Sequence, residues 1–501
     1  MNQKLSSNPL VSDRWSFLWL GIATVLVVFS VGLWRIPLAA WLAPIFLIRF
    51  MRSRSTGKGY LWILLSLTIS NWIAWGDLFA ISSFSPLLTK VIFIPVFALL
   101  YSIPYLIDRL LAHRLPGLAA TLIFPFAATT FDFLFTFVDP QGSFGLWANA
   151  VYNSPVLMQL FSVTGMWGLI FLMAWFASTT AWIWEQEFSW PKTWRGLAIF
   201  GTFLAVVMVY GSVRLIFFHP QPGTVRVHAI VDNLWPNNKM IDELPALLST
   251  NPDEFDRITT GNAARYLEST VREARAGAQV VVWPEVAGFG NEKGVTALLA
   301  RGREVARQES IYLVLPTYTV YSDPDKPIDN RLFIIDPAGK IVLEHEKYGC
   351  TALNMSQIKL TAFDTPYGKM SAVMCCDLDF PTVISQARQQ GVDIFFAPSN
   401  EPLPSVVQMH AQQAPFRAIE NGFSLVRPTS NGVSLYTDPY GRTLAMIDQR
   451  LASDPVLVIQ VPTHGVTTIY SVIGDLFGWL TVIGFAILVG WAFFRGRRQD
   501  A

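Results

Sequence analysis

The chain has 501 residues, of which 52% are hydrophobic and 15% charged, with a formal net charge of +1. That balance is far from a soluble chain and implies an integral membrane protein, while the lack of any long basic run excludes a nucleic-acid footprint. The three cysteines, Cys350, Cys375 and Cys376, leave one thiol over in any pairing; no Cys and His spacing suits a metal, and neither metal nor cofactor is expected.

Apolar stretches run from Ser16 to Trp34, Ile36 to Phe50, Tyr60 to Ile81, Val91 to Leu111, Leu118 to Val138, Val156 to Trp184 and Gly196 to Phe218, and a last one from Ser471 to Phe494. Most approach the roughly 20 residues that cross a hydrocarbon core, and Ile36 to Phe50 is short. About eight helices are therefore expected, seven before a polar domain and one after it. The first has no small-residue cleavage site behind it and reads as a retained helix.

Lysine and arginine are asymmetric in the short loops. With Lys4 and Arg14 inside, the same side collects Arg49, Arg52, Arg54 and Lys58, then Arg109 and Arg114, then Lys192 and Arg195, then Arg495, Arg497 and Arg498; the other side holds little beyond Arg35 and Lys90. This bias puts the polar domain outside the cytoplasm. The expected division is residues 1–218 as membrane helices, 222–464 as the polar domain, 468–494 as the last helix and 495–501 as a cytoplasmic tail.

Within the polar domain, short β-rich runs alternate with amphipathic stretches. The runs are Val225 to Val231, Val280 to Trp283, Ile311 to Leu315, Leu332 to Ile335, Lys340 to Leu343, Ala372 to Cys375, Asp393 to Phe396, Phe423 to Val426 and Val456 to Val461. Between them, Ala263, Tyr266, Leu267, Thr270, Val271 and Ala274 keep helical spacing up to Gly277, and Val295, Leu298, Leu299, Val305 and Ala306 share one face. Asp336-Pro337-Ala338-Gly339 and Asp438-Pro439-Tyr440-Gly441 are turn signals. About 240 residues of this kind suit one layered α/β domain.

Three side chains stand at the ends of apolar runs. Glu285 follows Val280 to Pro284, where a partly desolvated carboxylate can act as a general base; a strand-end glutamate capping a helix or facing solvent is the bland alternative. Lys347 follows the Lys340 to Leu343 run, and its ammonium can stabilise an oxyanion or hold a thiolate; flanked by Glu344 and Glu346, it also reads as a solvated lysine. Cys375 ends the Ser371 to Met374 run, before Pro381 opens a helix that Gly391 closes. A thiol at such an elbow feels the helix N-terminus, which favours thiolate, and the alternative is a small core residue.

Together, Trp283-Pro284-Glu285, Lys347 and Cys375-Cys376-Asp377, with Phe380-Pro381 in register, resemble the nitrilase (carbon-nitrogen hydrolase) superfamily. So do the downstream segments His410 to Gly422, Leu425 to Arg427, Ser430-Asn431-Gly432 and Asp438 to Arg442. The resemblance implies a four-layer α-β-β-α sandwich with Glu285, Lys347 and Cys375 as the catalytic triad; Cys376, Asp377 and Glu401 are the candidate supporting or oxyanion residues. One branch, the apolipoprotein N-acyltransferases of the bacterial envelope, is similar in its seven helices before and one after the domain. It implies transfer of a fatty acyl group from a phospholipid donor to the amine of a diacylated lipoprotein through a thioester, with the catalytic domain on the periplasmic face of the inner membrane.

This chain departs from that branch. No carboxylate occurs between Lys347 and Asp364, and Cys376 stands where the superfamily has an aromatic. Glu401-Pro402-Leu403-Pro404 replaces Asp-Ala-Trp-Phe after Pro398-Ser399-Asn400. Glu401 reads either as a replacement carboxylate or as a surface-loop residue. Cys350 and Cys376 could pair outside the cytoplasm, free buried thiols being the default. Two rival functions stay open: a membrane-tethered amidase or nitrilase, and a non-catalytic scaffold. Lipid use would predict mobile apolar rims around Leu234-Trp235-Pro236 and Leu353 to Ile358.

Overall fold

The computed structural model describes residues 13–75, 86–231, 238–323, 326, 328–348, 358–401, 403–451 and 456–500. The chain divides into two units, one of Met1–Val138, Gly145–Ile216 and Ile473–Ala501 and the other of Asp139–Phe144 and Phe217–Val472.

The first unit is helical: α1 Ser16–Val28, α2 Pro37–Arg52, α3 Thr56–Ala74, α4 Pro86–Leu111, α5 Ile123–Phe135, α6 Pro155–Met158, α7 Phe161–Thr164, α8 Met166–Glu185 and α9 Trp190–Phe217, with a last helix Leu476–Asp500. Among the described residues, five helical stretches are long and apolar enough to cross a membrane: Lys90–Arg114, Gly117–Phe135, Met166–Glu185, Trp190–Phe217 and Leu476–Gly496. The chain is a multi-pass membrane protein. All eight stretches expected from sequence are helical over most of their length, but α1, with 13 residues, reaches only about 20 Å. The stretch from Val156 to Trp184 is broken, because Gly165 adopts φ +63° between α7 and α8, a left-handed value that ends one helix before the next begins.

Ala23, Ile48, Phe50, Ile63 and Ala177 are fully buried between the helices of this unit. The same interior holds a charge cluster. Arg52 donates from Nε and Nη2 to the two oxygens of Asp108, both at 2.7 Å, and from Nη1 to Glu185 at 3.2 Å. A two-pronged guanidinium grip of this kind offsets the desolvation of both charges, and loss of one partner strands the other.

The second unit contains two sheets. β1 Thr224–Ile230, β2 Val280–Val282, β3 Gly288–Gly290, β4 Tyr312–Thr319, β5 Asp329–Ile335 and β6 Ile341–Glu346 form one with β15 Val456–Pro462, in the order β15-β1-β2-β4-β5-β6, with β3 beside β4. β7 Ala362–Thr365, β8 Gly368–Ala372, β9 Ile394–Phe396, β11 Ser424–Arg427, β13 Val433–Thr437 and β14 Thr443–Asp448 form the other, in the order β14-β13-β11-β9-β8-β7. A short parallel pair, β10 Ser399–Asn400 and β12 Thr429–Ser430, stands apart.

Side-chain alternation explains the layering. Val280 and Val282 face one core with Ile394, Phe396, Met370 and Ala372 of the other sheet, whereas Val281 and Trp283 face an outer core with Tyr266, Leu267 and Leu298. Those outer residues come from α11 Pro252–Arg275 and α12 Glu292–Glu309, which follow α10 Asn238–Thr250; on the far side α13 Pro381–Gln389 and α14 Pro404–Asn421 supply Val383, Ile384, Ala414 and Ala418 around Phe395. Strands buried on both faces read as continuous apolar runs, which is why they stand out in the sequence. The four-layer α-β-β-α sandwich is present. The boundary nearest the site moves most in consequence: β8 ends at Ala372, three residues before Cys375, because the chain turns into a 3-10 segment at Cys375–Asp379.

Replacing Arg52 by Met leaves Asp108 buried without its fork and is expected to destabilise the helical unit by about 3–5 kcal/mol. The double variant R52M/D108L should lose much less, as thermal melting in detergent micelles would show.

Candidate active site

The C-terminal end of β2 delivers Glu285 through Trp283 and Pro284. Trp283 is fully buried and donates its indole N–H to Thr270 Oγ1 at 2.9 Å, which fixes the strand exit. Glu285 is 2% exposed. Its Oε1 accepts from Lys347 Nζ at 2.6 Å and Asn330 Nδ2 at 2.9 Å, and its Oε2 accepts from the Asn400 amide at 2.8 Å. The backbone is held as well, since Ser430 Oγ donates to the Glu285 carbonyl at 3.0 Å. Solvent-facing and helix-capping roles are thus excluded by its burial and partners.

Lys347 is placed by the β5–β6 ladder. Arg331 pairs with Glu346, and one step further the Lys347 amide donates to the Asn330 carbonyl at 2.9 Å. Its side chain is 17% exposed. Burial alone would lower the ammonium's pKa, but Glu285, the Cys375 thiol group and the hydrogen bond to Glu285 outweigh it and hold the pKa well above the ordinary lysine value. Lys347 is a fixed cation.

Cys375 opens the turn after β8. Pairing with β9 continues past the strand, with the Val373 amide on the Phe396 carbonyl at 3.0 Å and the Cys375 amide on Pro398 at 2.9 Å. The residue then takes φ +51°, a left-handed value that non-glycine residues rarely adopt and that points to a functional constraint. Its thiol is buried and donates to the Asn400 carbonyl at 3.6 Å. The thiolate expected from the helix N-terminus is not the resting form. Burial first, and the Glu285 charge second, push the thiol well above its usual range despite Lys347, and α13 begins only at Pro381.

The supporting residues fall into two groups. Asp377 is fully buried and its Oδ2 lies 2.8 Å from His345 Nε2, so it ties the Cys375 turn to β6, the strand that leads into Lys347. Cys376 is buried and disulfide-bonded, not a free thiol; Cys350 lies outside the described residues. Among the described residues Cys375 is the free cysteine. Glu401 is 1% exposed, which overturns the surface-loop alternative. It pairs with Arg427 Nη2 and with His410 Nδ1, the latter at 2.8 Å. Burial would raise its pKa, but His410 and Arg427 together hold it below the carboxylate range. The rims named from sequence, Leu234-Trp235-Pro236 and Leu353 to Gln357, lie outside the described residues.

Asn330, Asn400, Ser430, His345 and His410 belong to this centre; Asn330 and His345 were not singled out from sequence, and Asn400, Ser430 and His410 were named only within longer segments, with no role assigned. The cue available was weak: Asn400 and Ser430 sit in Pro398-Ser399-Asn400 and Ser430-Asn431-Gly432, small polar segments at strand ends. In sum, the site has one base-like carboxylate, one permanent cation and one neutral thiol, an arrangement that can add a thiol to a carbonyl and stabilise the resulting oxyanion.

Residues 254–468 match the carbon-nitrogen hydrolase family model. Over 317 residues the chain is 23% identical to an apolipoprotein N-acyltransferase of Rickettsia bellii, covering 59% of this chain and 60% of that protein. Over 378 residues it is 24% identical to an apolipoprotein N-acyltransferase of Bradyrhizobium diazoefficiens, covering 67% and 66%. The chain spans about two thirds or less of the length of these relatives. An amidase structure from Nesterenkonia sp. aligns with 19% identity and a TM-score of 0.39, covering 49% of this chain and 94% of that one.

Two measurements test the electrostatics. Iodoacetamide labelling of Cys375, followed by intact mass, should have a native rate that still rises above pH 9, whereas a plateau below pH 8 would mean a resting thiolate. His410 is pushed up to about 10 by Glu401 and Asp379 in spite of burial, against about 6.5 unfolded. Its stabilisation is complete below pH ~6.5 and is lost as pH rises through ~10, so the melting temperature should fall across that window and fall less in His410→Gln.

Proposed function

We propose that this chain, a multi-pass membrane protein carrying a carbon-nitrogen hydrolase domain, is an apolipoprotein N-acyltransferase. It would move a fatty acyl group from a phospholipid to the N-terminal amine of a diacylglyceryl-cysteine lipoprotein. The observation that carries the proposal is the convergence of Glu285, Lys347 and the Cys375 turn in a chain that also holds five membrane-length apolar helices among its described residues. The similar acyltransferases support the same substrate class.

The chemistry follows from the charge states. Because the Cys375 thiol rests neutral, proton removal and attack belong to one step: Glu285 takes the proton as Sγ adds to the ester carbonyl. The Lys347 ammonium and a backbone N–H near Cys376 receive the oxyanion. Collapse breaks the ester C–O bond, Glu285 returns its proton to the leaving lysophospholipid alkoxide, and a thioester remains on Cys375. The lipoprotein amine then attacks this thioester, loses a proton to Glu285 and departs as an amide, while the thiol is re-formed. Water is the competing acceptor, and an amidase-like hydrolase would use it instead.

Location follows the charge bias of the loops, with the catalytic unit on the periplasmic side of the bacterial inner membrane. Purified enzyme incubated with phospholipid should gain one acyl mass as a thioester, absent in Cys375→Ala. Glu285→Gln and Lys347→Met should each slow its formation by about 100-fold or more. An adduct that persists in Cys375→Ala and vanishes in Cys376→Ala would overturn the nucleophile assignment. Release by water but not by a diacylated lipopeptide would make the protein a hydrolase.

A further inference from the structure

A second buried charge cluster lies beside the thiol and takes no part in the steps above. His410 on α14 donates from Nδ1 to Glu401 Oε2 at 2.8 Å, and its Nε2 lies 3.2 Å from Asp379 Oδ2. These two carboxylates stand on different segments of the site. Asp379 closes the Cys375–Asp379 turn. Glu401 directly follows Asn400, whose amide holds Glu285 and whose carbonyl accepts from the Cys375 thiol.

The surroundings of the bridge are also charged or hydrogen-bonded. Arg427 on β11 pairs with the other oxygen of Glu401, and Gln413 donates to the other oxygen of Asp379. Arg417 donates from Nε to the Leu378 carbonyl at 3.2 Å, inside the nucleophile turn. The last wall comes from Asp139–Phe144, a segment that lies in sequence between two membrane helices yet packs with this unit. Its Ser143 amide and hydroxyl both donate to the Asp379 carbonyl, at 2.8 and 2.7 Å, and the hydroxyl accepts from Arg417 Nη2 at 2.5 Å. Phe144 sets its ring edge-on to the His410 imidazole with centroids 4.7 Å apart. Gly142, at φ +60°, leaves no room for a side chain, since a Cβ there would stand 2.7 Å from the Asp379 carbonyl.

We propose that His410 is a positioning residue for the thiol reaction: by bridging Glu401 and Asp379 it fixes the spacing between the Asn400 segment and the Cys375 turn, and Ser143 and Phe144 seal that bridge. The imidazole pKa of about 10 keeps the bridge cationic at neutral pH. Without that cation, two carboxylates face each other in a dry interior, and like charges there drive the segments apart or force one to protonate. Because Asn400 contacts both the base and the nucleophile, a small shift of its segment misaligns the pair, and a displacement of about 1 Å can cost roughly 100-fold in rate.

The inference rests on the acyltransferase proposal for its enzymatic arm, so the test also uses a probe that does not depend on it. His410→Gln and Glu401→Gln in the full-length enzyme are compared with wild type for single-turnover thioester formation from phospholipid, donor KM, and iodoacetamide alkylation of Cys375. Expected is a fall of about tenfold or more in the thioester rate with donor KM within about twofold, and in H410Q/E401Q no further loss beyond the worse single variant, because coupled residues are not additive. Alkylation should slow in the same variants. Rates within about twofold of wild type in both single variants would overturn the inference, as would a rise in KM that accounts for the whole effect. If wild type forms no thioester while alkylation still responds to H410Q, the acyltransferase proposal fails and the positioning role stands. Should H410Q not fold, E401Q and Ser143→Ala carry the same comparison, and unchanged rates in both would overturn it.

Discussion

The ion pair between Glu285 and Lys347 is the interaction on which the catalytic unit depends. At 2.6 Å, with the carboxylate 2% exposed, it is supported by two further donors to the carboxylate, Asn330 on Oε1 and the Asn400 amide on Oε2. Desolvating two charges costs several kcal/mol per ion, and pairing offsets that cost only when the geometry is complete. The donors come from separate places: Asn330 from β5 and Lys347 from just past the end of β6 in one sheet, Asn400 from the short parallel pair that follows β9. The site therefore exists only when the two sheets face each other. The Ile394, Phe396, Val280 and Val282 core that brings them together is thus a precondition of the chemistry and not a background to it.

The same charges that fix the ammonium set the state of the thiol. Glu285 raises the Cys375 pKa and Lys347 lowers it, and burial tips the balance toward the neutral form. A neutral thiol is a weak nucleophile, so it needs a base in the step of attack, the role proposed for Glu285. The left-handed backbone at Cys375 fits this picture. Strain of about 1–3 kcal/mol at such a residue persists only where its surroundings over-determine it. Here the Cys375 amide on Pro398, the Asp377 amide on Met374, and His345 on Asp377 do so.

Sequence made the layered fold and the three central residues legible for one physical reason: strands buried on both faces appear as short apolar runs, and reactive residues stand where such runs end. Val280 to Trp283 before Glu285 is the clearest case. What stayed hidden were contacts between distant segments. Asn330, Asn400 and His410 carry no periodic signal, and each is an ordinary polar residue until the sheets pair. Glu401 reads as a loop residue because its partners, Arg427 and His410, are remote in sequence and recognisable only in space. The thiolate expectation failed for a related reason, since helix proximity is readable from Pro381 whereas desolvation depends on the whole fold. Among the membrane helices, composition located all eight stretches but not the break at Gly165, which is set by one backbone angle.

Glu401 also bears on how many bases the proposed reaction has. A carboxylate between Lys347 and Asp364 is missing, and Glu401 is the nearest substitute in chemical type. Arg427 and His410, however, hold it below the usual carboxylate range, so it binds a proton less readily than an ordinary carboxylate. The reaction then has one mobile proton site, Glu285, which must take the thiol proton, return it to the leaving alcohol and take another from the incoming amine. That sequence requires the alcohol to leave before the amine deprotonates, so the two half-reactions are ordered by proton occupancy as well as by the thioester. Excluding water in the interval becomes essential, and a cysteine only 6% exposed is a setting in which an amine bound beside the thioester can outcompete it.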